Sequence, residues 1–207
     1  MKIAQGSLQI ISIFLLPLLI IGFYPWGTFF ALLSTIFALY LIWFFRDPER
    51  TILPDESKIL AAADGTVIYS KVSENLYKVA IRMSPFDVHI NRSPITGRFI
   101  SEIRRPGKHF SVYFSGAEDK NESNLLVISN DTLEVEVLQL TGAFARRIET
   151  WIQREDQLEQ GEKIGMIRFG SQTNVQVKTI KPFRITVKVG DKVKAGLSTI
   201  MEVYDAE

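Results

Sequence analysis

Cysteine is absent from the 207 residues, and histidine occurs only twice, as His89 and His109. The first absence excludes a disulfide framework, a thiolate metal site and a cysteine nucleophile, though it leaves the redox compartment open. With two histidines a His-rich site is excluded too, and no metal is expected. An excess of one charge sign is also missing: 24 Lys and Arg stand against 23 Asp and Glu. That balance argues against a nucleic-acid binder. A further absence is local. From Ile3 to Phe45, 43 consecutive residues carry no Asp, Glu, Lys, Arg or His, so only Lys2 is charged before Arg46. The chain therefore divides into an uncharged anchor, 1–45, and a charged domain, 46–207. This division excludes a fully soluble enzyme, a disordered protein and a polytopic transporter.

A bilayer crossing takes about 20 apolar residues, with a lower bound near 17. The uncharged run is too long for one span and sufficient for two short ones. Tyr24-Pro25-Trp26-Gly27 divides it, because Pro and Gly break helices while Tyr and Trp favour the headgroup level. The reading is a helical hairpin, roughly Ser7 to Phe23 and Thr28 to Phe45. A hairpin that dips into one leaflet is the alternative, and Pro17 fits either. A signal peptide is the competing reading of the first segment, but no small-x-small cleavage site follows and a second apolar segment comes at once. Lys2, Arg46 and Arg50 flank the run. The positive-inside rule then puts both ends, and the domain, on the cytoplasmic face of the cell membrane.

Beyond Lys58 the pattern is mainly β. Short alternating or β-branched runs occur at 66–69, 76–81, 133–138, 183–187 and 200–203, divided by turn residues such as Ser129-Asn130-Asp131. This spacing predicts an antiparallel sandwich or barrel. Phe144 to Gln153 fits a helix or a strand. The segment from Val187 to Gly196, a strand with a Gly-Asp turn and a second Gly, has the form found in biotinyl/lipoyl-type sandwiches. Its simpler reading is two tight turns. Gly161 to Gly165 resembles it weakly.

Three features carry possible chemistry. Asp64-Gly65, after two alanines, reads first as a turn that opens the strand at Thr66. Met83 to Pro94 packs His89, Asp87 and Arg92 between prolines, a reasonable setting for a base as well as for a solvated turn. Gly170-Ser171 by itself means a turn. Without cysteine, a covalent mechanism needs Ser, Thr or Lys.

The three together, in this order, resemble the phosphatidylserine decarboxylase proenzymes: Asp-Gly, then Ser-Pro-x-Asp-x-His, then Gly-Ser near the C-terminus. Phe44-Phe45-Arg46-Asp47-Pro48 is similar to a segment that follows the anchor in the family's short members. Gly142 to Ile148 is similar to its G-x-x-A-R-R-I block, and Glu122-Ser123-Asn124 stands where the family often has N-E-R-N. One departure is plain. Long members carry a second His three residues after the first, and here that position is Arg92. The Ser is also followed by Gln172, where long forms have Thr or Ser.

The resemblance implies a specific chemistry. The chain would cut itself between Gly170 and Ser171, giving a β chain that ends at Gly170 and an α chain that begins at residue 171. Ser171 would become a covalent pyruvoyl cofactor. His89 would be the base, with Asp64 orienting it, and His89 would serve again as proton donor. The substrate would be the serine headgroup of a membrane phospholipid, decarboxylated to the ethanolamine lipid. Arg92, Arg146 and Arg147 are candidates for its phosphate. The resemblance also implies a homodimer; His109 gets no role. Archaetidylserine is the alternative substrate, and a non-catalytic membrane-tethered sandwich adaptor is the rival from another class.

Overall fold

The computed structural model describes residues 2–5, 7–15, 27–114, 116–143, 147–168, 171–179 and 183–203. The chain forms two compact units, Met1–Glu49 and Arg50–Glu207.

In the first unit a short strand β1 (Lys2–Ile3) precedes helix α1 (Leu8–Leu15), and helix α2 (Gly27–Phe44) leads into strand β2 (Arg46–Asp47). β1 and β2 pair antiparallel, so the two ends of the uncharged run lie side by side. The Ala4 amide donates to the Phe45 carbonyl at 2.8 Å, and Lys2 pairs with Glu49. α1 packs against α2. α2 is the one described helix long and apolar enough to cross a membrane, by length and composition. Phe29, Phe30, Leu32, Leu33, Ile36 and Leu39 are all more than half exposed on it. An apolar helix that shows such a surface is suited to lipid rather than water. The expected hairpin turn at 24–27 falls almost wholly outside the described residues, as does Pro17.

The second unit is mainly β and antiparallel, as the alternation predicts. Its strands are β3 (Lys58–Leu60), β4 (Gly65–Ser73), β5 (Leu76–Met83), β6 (Ile90–Arg92) and β7 (Gly97–Arg105). After the short helix α3 (Ala117–Lys120) come β8 (Ser123–Ser129), β9 (Glu134–Leu140), β10 (Ile148–Thr150) and β11 (Gln157–Leu158). The last are β12 (Lys163–Ile167), β13 (Ser171–Lys178), β14 (Phe183–Ile185), β15 (Lys192–Val193) and β16 (Thr199–Val203). Between Phe144 and Gln153, the described part takes the strand option at 148–150.

An eight-stranded sheet runs β11-β7-β8-β9-β13-β5-β4-β15, with two three-stranded sheets, β10-β12-β6 and β14-β16-β3. Register shifts in β4 and β7 add a residue on one side of the ladder and curl the large sheet. Alternation fills the interior. Val135 and Val137 are buried while Glu134 is exposed and Glu136 half-exposed. On β13, Val175 faces Val79 and Val137, and Val177 faces Tyr77 and Val135. Each such row of cross-strand apolar pairs contributes about 0.2–1 kcal/mol per pair beyond alanine. Toward the start of β13 the same face turns polar, through Thr173 to Ser171. The hydrophobic core and a buried polar end thus share one strand.

Gly65 opens β4, as the Asp-Gly pair suggests. Its φ is 152°, and a Cβ there would stand 2.2 Å from the Arg82 carbonyl oxygen. No side chain fits without moving β4 from β5. Gly65→Ala is expected to destabilise the domain by on the order of 1–3 kcal/mol, read as a lower denaturation midpoint with an unchanged slope.

Candidate active site

β5 ends at Met83, and the loop that follows is closed by its own side chains. The Ser84 amide and hydroxyl both donate to Asp87 Oδ2 at 2.7 Å, and the Asp87 amide donates to the Ser84 carbonyl at 3.0 Å. Pro85 suits the second position of such a turn. The turn aims the Asp87 carbonyl at His89, whose Nδ1 lies 2.9 Å away. A carbonyl oxygen only accepts, so Nδ1 carries the proton. The neutral ring then has its lone pair on Nε2, the state a general base requires. His89 is fully buried.

Ser171 is the first residue of β13 and is also fully buried. It stands opposite Met83 in the ladder, and its hydroxyl meets the Met83 thioether at 3.8 Å. Sulfur is a weak acceptor, so the hydroxyl is held only loosely. The far end of the histidine loop meets strand β12, which precedes Ser171 in the chain. Met166 pairs with Ile90, and the Ile167 amide donates to the His89 carbonyl at 3.2 Å. Gly170 itself lies outside the described residues.

Asp64 is placed differently from the expectation. Its carboxylate receives two bonds from Arg50, at 2.7 and 2.8 Å, and one from the Ala195 amide at 2.8 Å. Arg50 also donates to the Ala195 carbonyl at 2.5 Å. Both side chains of this ion pair are about nine-tenths buried. Asp64 therefore fastens the chain at 50 and 195 to the strand β4 entrance, while the Asp87 carbonyl lies against the His89 ring. The sequence offers no local sign of the Arg50 pairing, since the partners are 14 residues apart and each sits in a different motif. The Asp87 carbonyl is a main-chain atom, which motif reading does not weigh.

The arginines also separate. Arg92 is buried and donates to the Gly161 carbonyl at 2.8 Å. It props the Gly161 turn from inside, which is a structural position rather than a surface one for a lipid phosphate. Arg147 is presented to solvent, its side chain 71% exposed and 3.6 Å from Glu149. Arg168 reaches the same carboxylate at 2.5 Å. Arg146 lies outside the described residues. His109 contacts Thr141 Oγ1 at 3.2 Å.

A buried serine at a strand start, opposite the root of a loop that carries a histidine with its lone pair on Nε2, brings together residue types that can support acyl transfer. Comparison with known proteins agrees with the sequence reading. A family model described as phosphatidylserine decarboxylase matches residues 37–201. A phosphatidylserine decarboxylase proenzyme of Syntrophus aciditrophicus is 37% identical over 206 residues, 96% of each chain. One of Pelobacter propionicus is 39% identical over 181 residues, 84% of this chain and 79% of its own. A protein of Methanocaldococcus jannaschii, named provisionally as an archaetidylserine decarboxylase proenzyme, is 37% identical over 195 residues, 83% of this chain and 94% of its own. With the match spanning both the strand core and the Ser171–His89 region, the chain belongs to the phosphatidylserine decarboxylase family.

Proposed function

We propose that this chain is a self-cleaving, pyruvoyl-dependent decarboxylase of phosphatidylserine, anchored in a membrane by residues 1–45, with 46–207 as its catalytic domain. The observation that carries it is the pairing of buried Ser171, loosely held by Met83, with the His89 loop whose Asp87 carbonyl fixes the ring tautomer.

His89 Nε2 takes the Ser171 hydroxyl proton as the oxygen attacks the Gly170 carbonyl carbon. The Ser171 nitrogen leaves with a proton, so an ester replaces the amide. Loss of the Ser171 α-proton and of the Gly170 carboxylate leaves a double bond between Cα and Cβ. Its tautomer adds water and releases ammonia, which converts residue 171 to pyruvoyl at the head of the α chain. The residues present fit that group: the new carbonyl would sit at the buried start of β13, held by strands on both sides. A pyruvoyl carbonyl supplies an electron sink for the pair released when a carboxylate departs as CO2. His89 can hold a proton at Nε2 for return to the product carbon. Arg147, the exposed arginine of the block, supports a contact with lipid phosphate.

Anchoring has local support. The Arg46 guanidinium lies 3.9 Å from the centre of the Trp43 ring and donates to the Trp43 carbonyl, an arrangement suited to the headgroup level. The cytoplasmic orientation rests on Lys2, Arg46 and Arg50, the basic residues that flank the uncharged run. A homodimer remains part of the proposal as the resemblance implies it. The identity to the Methanocaldococcus jannaschii protein favours archaetidylserine as a second reading. Lipid mass spectrometry after incubation with each substrate separates them: loss of CO2 from neither sinks both.

Intact mass of the purified protein tests self-cleavage. The wild type is expected as two chains, the smaller of residues 171–207 with an N-terminal pyruvoyl, while Ser171→Ala and His89→Ala stay whole. A single wild-type chain in an active preparation overturns the reading. Asp64→Asn is expected to lower stability by about 3–5 kcal/mol, because it strands the buried Arg50 charge. In the double variant Arg50→Met/Asp64→Leu most of that loss should return, as measured by denaturant unfolding.

A further inference from the structure

We infer that Asn91 is a positioning residue that sets the spacing of His89 and Ser171 during self-cleavage. This rests on the reading above and goes beyond it, since neither Asn91 nor its partners take part in the steps just described. Asn91 is fully buried on β6. Its Nδ2 donates to the Ala62 carbonyl and to Thr173 Oγ1, each at 3.2 Å. Its Oδ1 accepts from Gln139 Nε2 at 2.7 Å. Those partners stand on three elements: the turn before β4, strand β13 and strand β9. One amide thus ties the small sheet that follows the His89 loop to two neighbouring strands of the large sheet.

The spacing gives the tie its meaning. Asn91 follows His89 by two residues, and Thr173 follows Ser171 by two. Two residues is one repeat of an extended chain, about 7 Å, after which side chains return to the same face. On β13, Thr173 therefore shares a face with Ser171, and its bond to Asn91 ties that strand to the segment two residues after His89. An apolar contact here would hold the sheets together while allowing them to slide. A buried amide with three partners has one satisfied geometry, and leaving it costs unpaired polar groups on both sheets. Gln139 is fixed in turn. Its Oε1 accepts from Asn124 Nδ2 at 3.0 Å, and that nitrogen lies 3.1 Å from Thr150 Oγ1. Thr150 donates to Glu102 at 2.6 Å. Burial pushes the Glu102 carboxyl up, but hydrogen bonds from Thr150 and Arg104 outweigh it and hold the group below its ordinary range. The outer end of the chain stays an acceptor, so the donor direction back to Asn91 is set.

The test follows conversion of newly made full-length precursor into two chains on a denaturing gel. Thr173→Val keeps the volume and removes the hydroxyl, whereas Thr173→Ser keeps the hydroxyl and removes a methyl. Thr173→Val and Asn91→Leu are expected to slow conversion by roughly tenfold or more, as displacement of reacting groups does. Thr173→Ser should restore a rate within roughly threefold of wild type. The rate–pH curve of Thr173→Val should keep the wild-type midpoint with a lower plateau, because the base is unchanged and only its placement suffers. Wild-type conversion by Thr173→Val, a Thr173→Ser rate as slow as that of Thr173→Val, or a shifted midpoint each overturns the inference. A wild type that stays whole, or Ser171→Ala that still converts, instead fells the self-cleavage reading and this inference with it, before any Asn91 or Thr173 variant is compared.

Discussion

The hydrogen-bonded placement of β13 between β5 and β9 is the constraint on which the rest depends. It puts Ser171 opposite Met83 at the root of the histidine loop, and it lays Val175 and Val177 into the core a few residues later. One strand therefore carries core packing at one end and a buried polar end at the other. The apolar end fixes register, because a slip by one residue would turn both valines out of the core and Ser171 away from Met83. Core packing and the placement of Ser171 are in this sense the same structural fact.

Around that strand, polar groups act as cross-ties where the chain is irregular. Arg50 and Arg92 do parallel work at two glycine turns. Arg50 holds the Ala195 carbonyl beside Gly196, and Arg92 holds the Gly161 carbonyl. The two turns approach each other, since a Cβ on Gly196 would come within 3.3 Å of Gly161 Cα. Gly161 and Gly196 both have positive φ, at 84° and 71°, so the approach and the backbone conformation ask for the same residue. Asp64 completes the arrangement by neutralising Arg50. A buried ion pair of this kind is costly to break and modest in net stabilisation, and its value here lies in fixing where the chain enters and closes the domain.

Much of this was legible in the sequence where the signal is local. Glu134-Val135-Glu136-Val137 alternates with period two, and it forms a half-buried strand for that reason. The uncharged run was equally plain, because charge is excluded over a length that a bilayer sets. The stretch from Phe144 to Gln153 was ambiguous, and pairing with β12 decided its described part, a contact no local pattern encodes. At the site, residue types in order pointed to Ser171 and His89. What they did not give was partnership: Asp64 answers to Arg50 and Ala195, and a main-chain carbonyl orients His89. Arg92 looked like a phosphate ligand because its side chain suits one, yet burial against Gly161 gives it a supporting role.

The position of β13 in the sheet has a consequence for the order in which the protein is made. Ser171 opens a strand that follows both β5 and β9 in the chain, yet that strand occupies the gap between them in the sheet. During synthesis β5 and β9 have no shared neighbour until β13 emerges. Ser171 and the loop that begins after Met83 are thus brought together by the same event that closes the sheet. β13 keeps its ladders to β5 and β9, β15 its pairing with β4, and β16 its pairing with β3. A backbone break ahead of residue 171 would leave those seams intact, so the assembly would record its own maturation without coming apart.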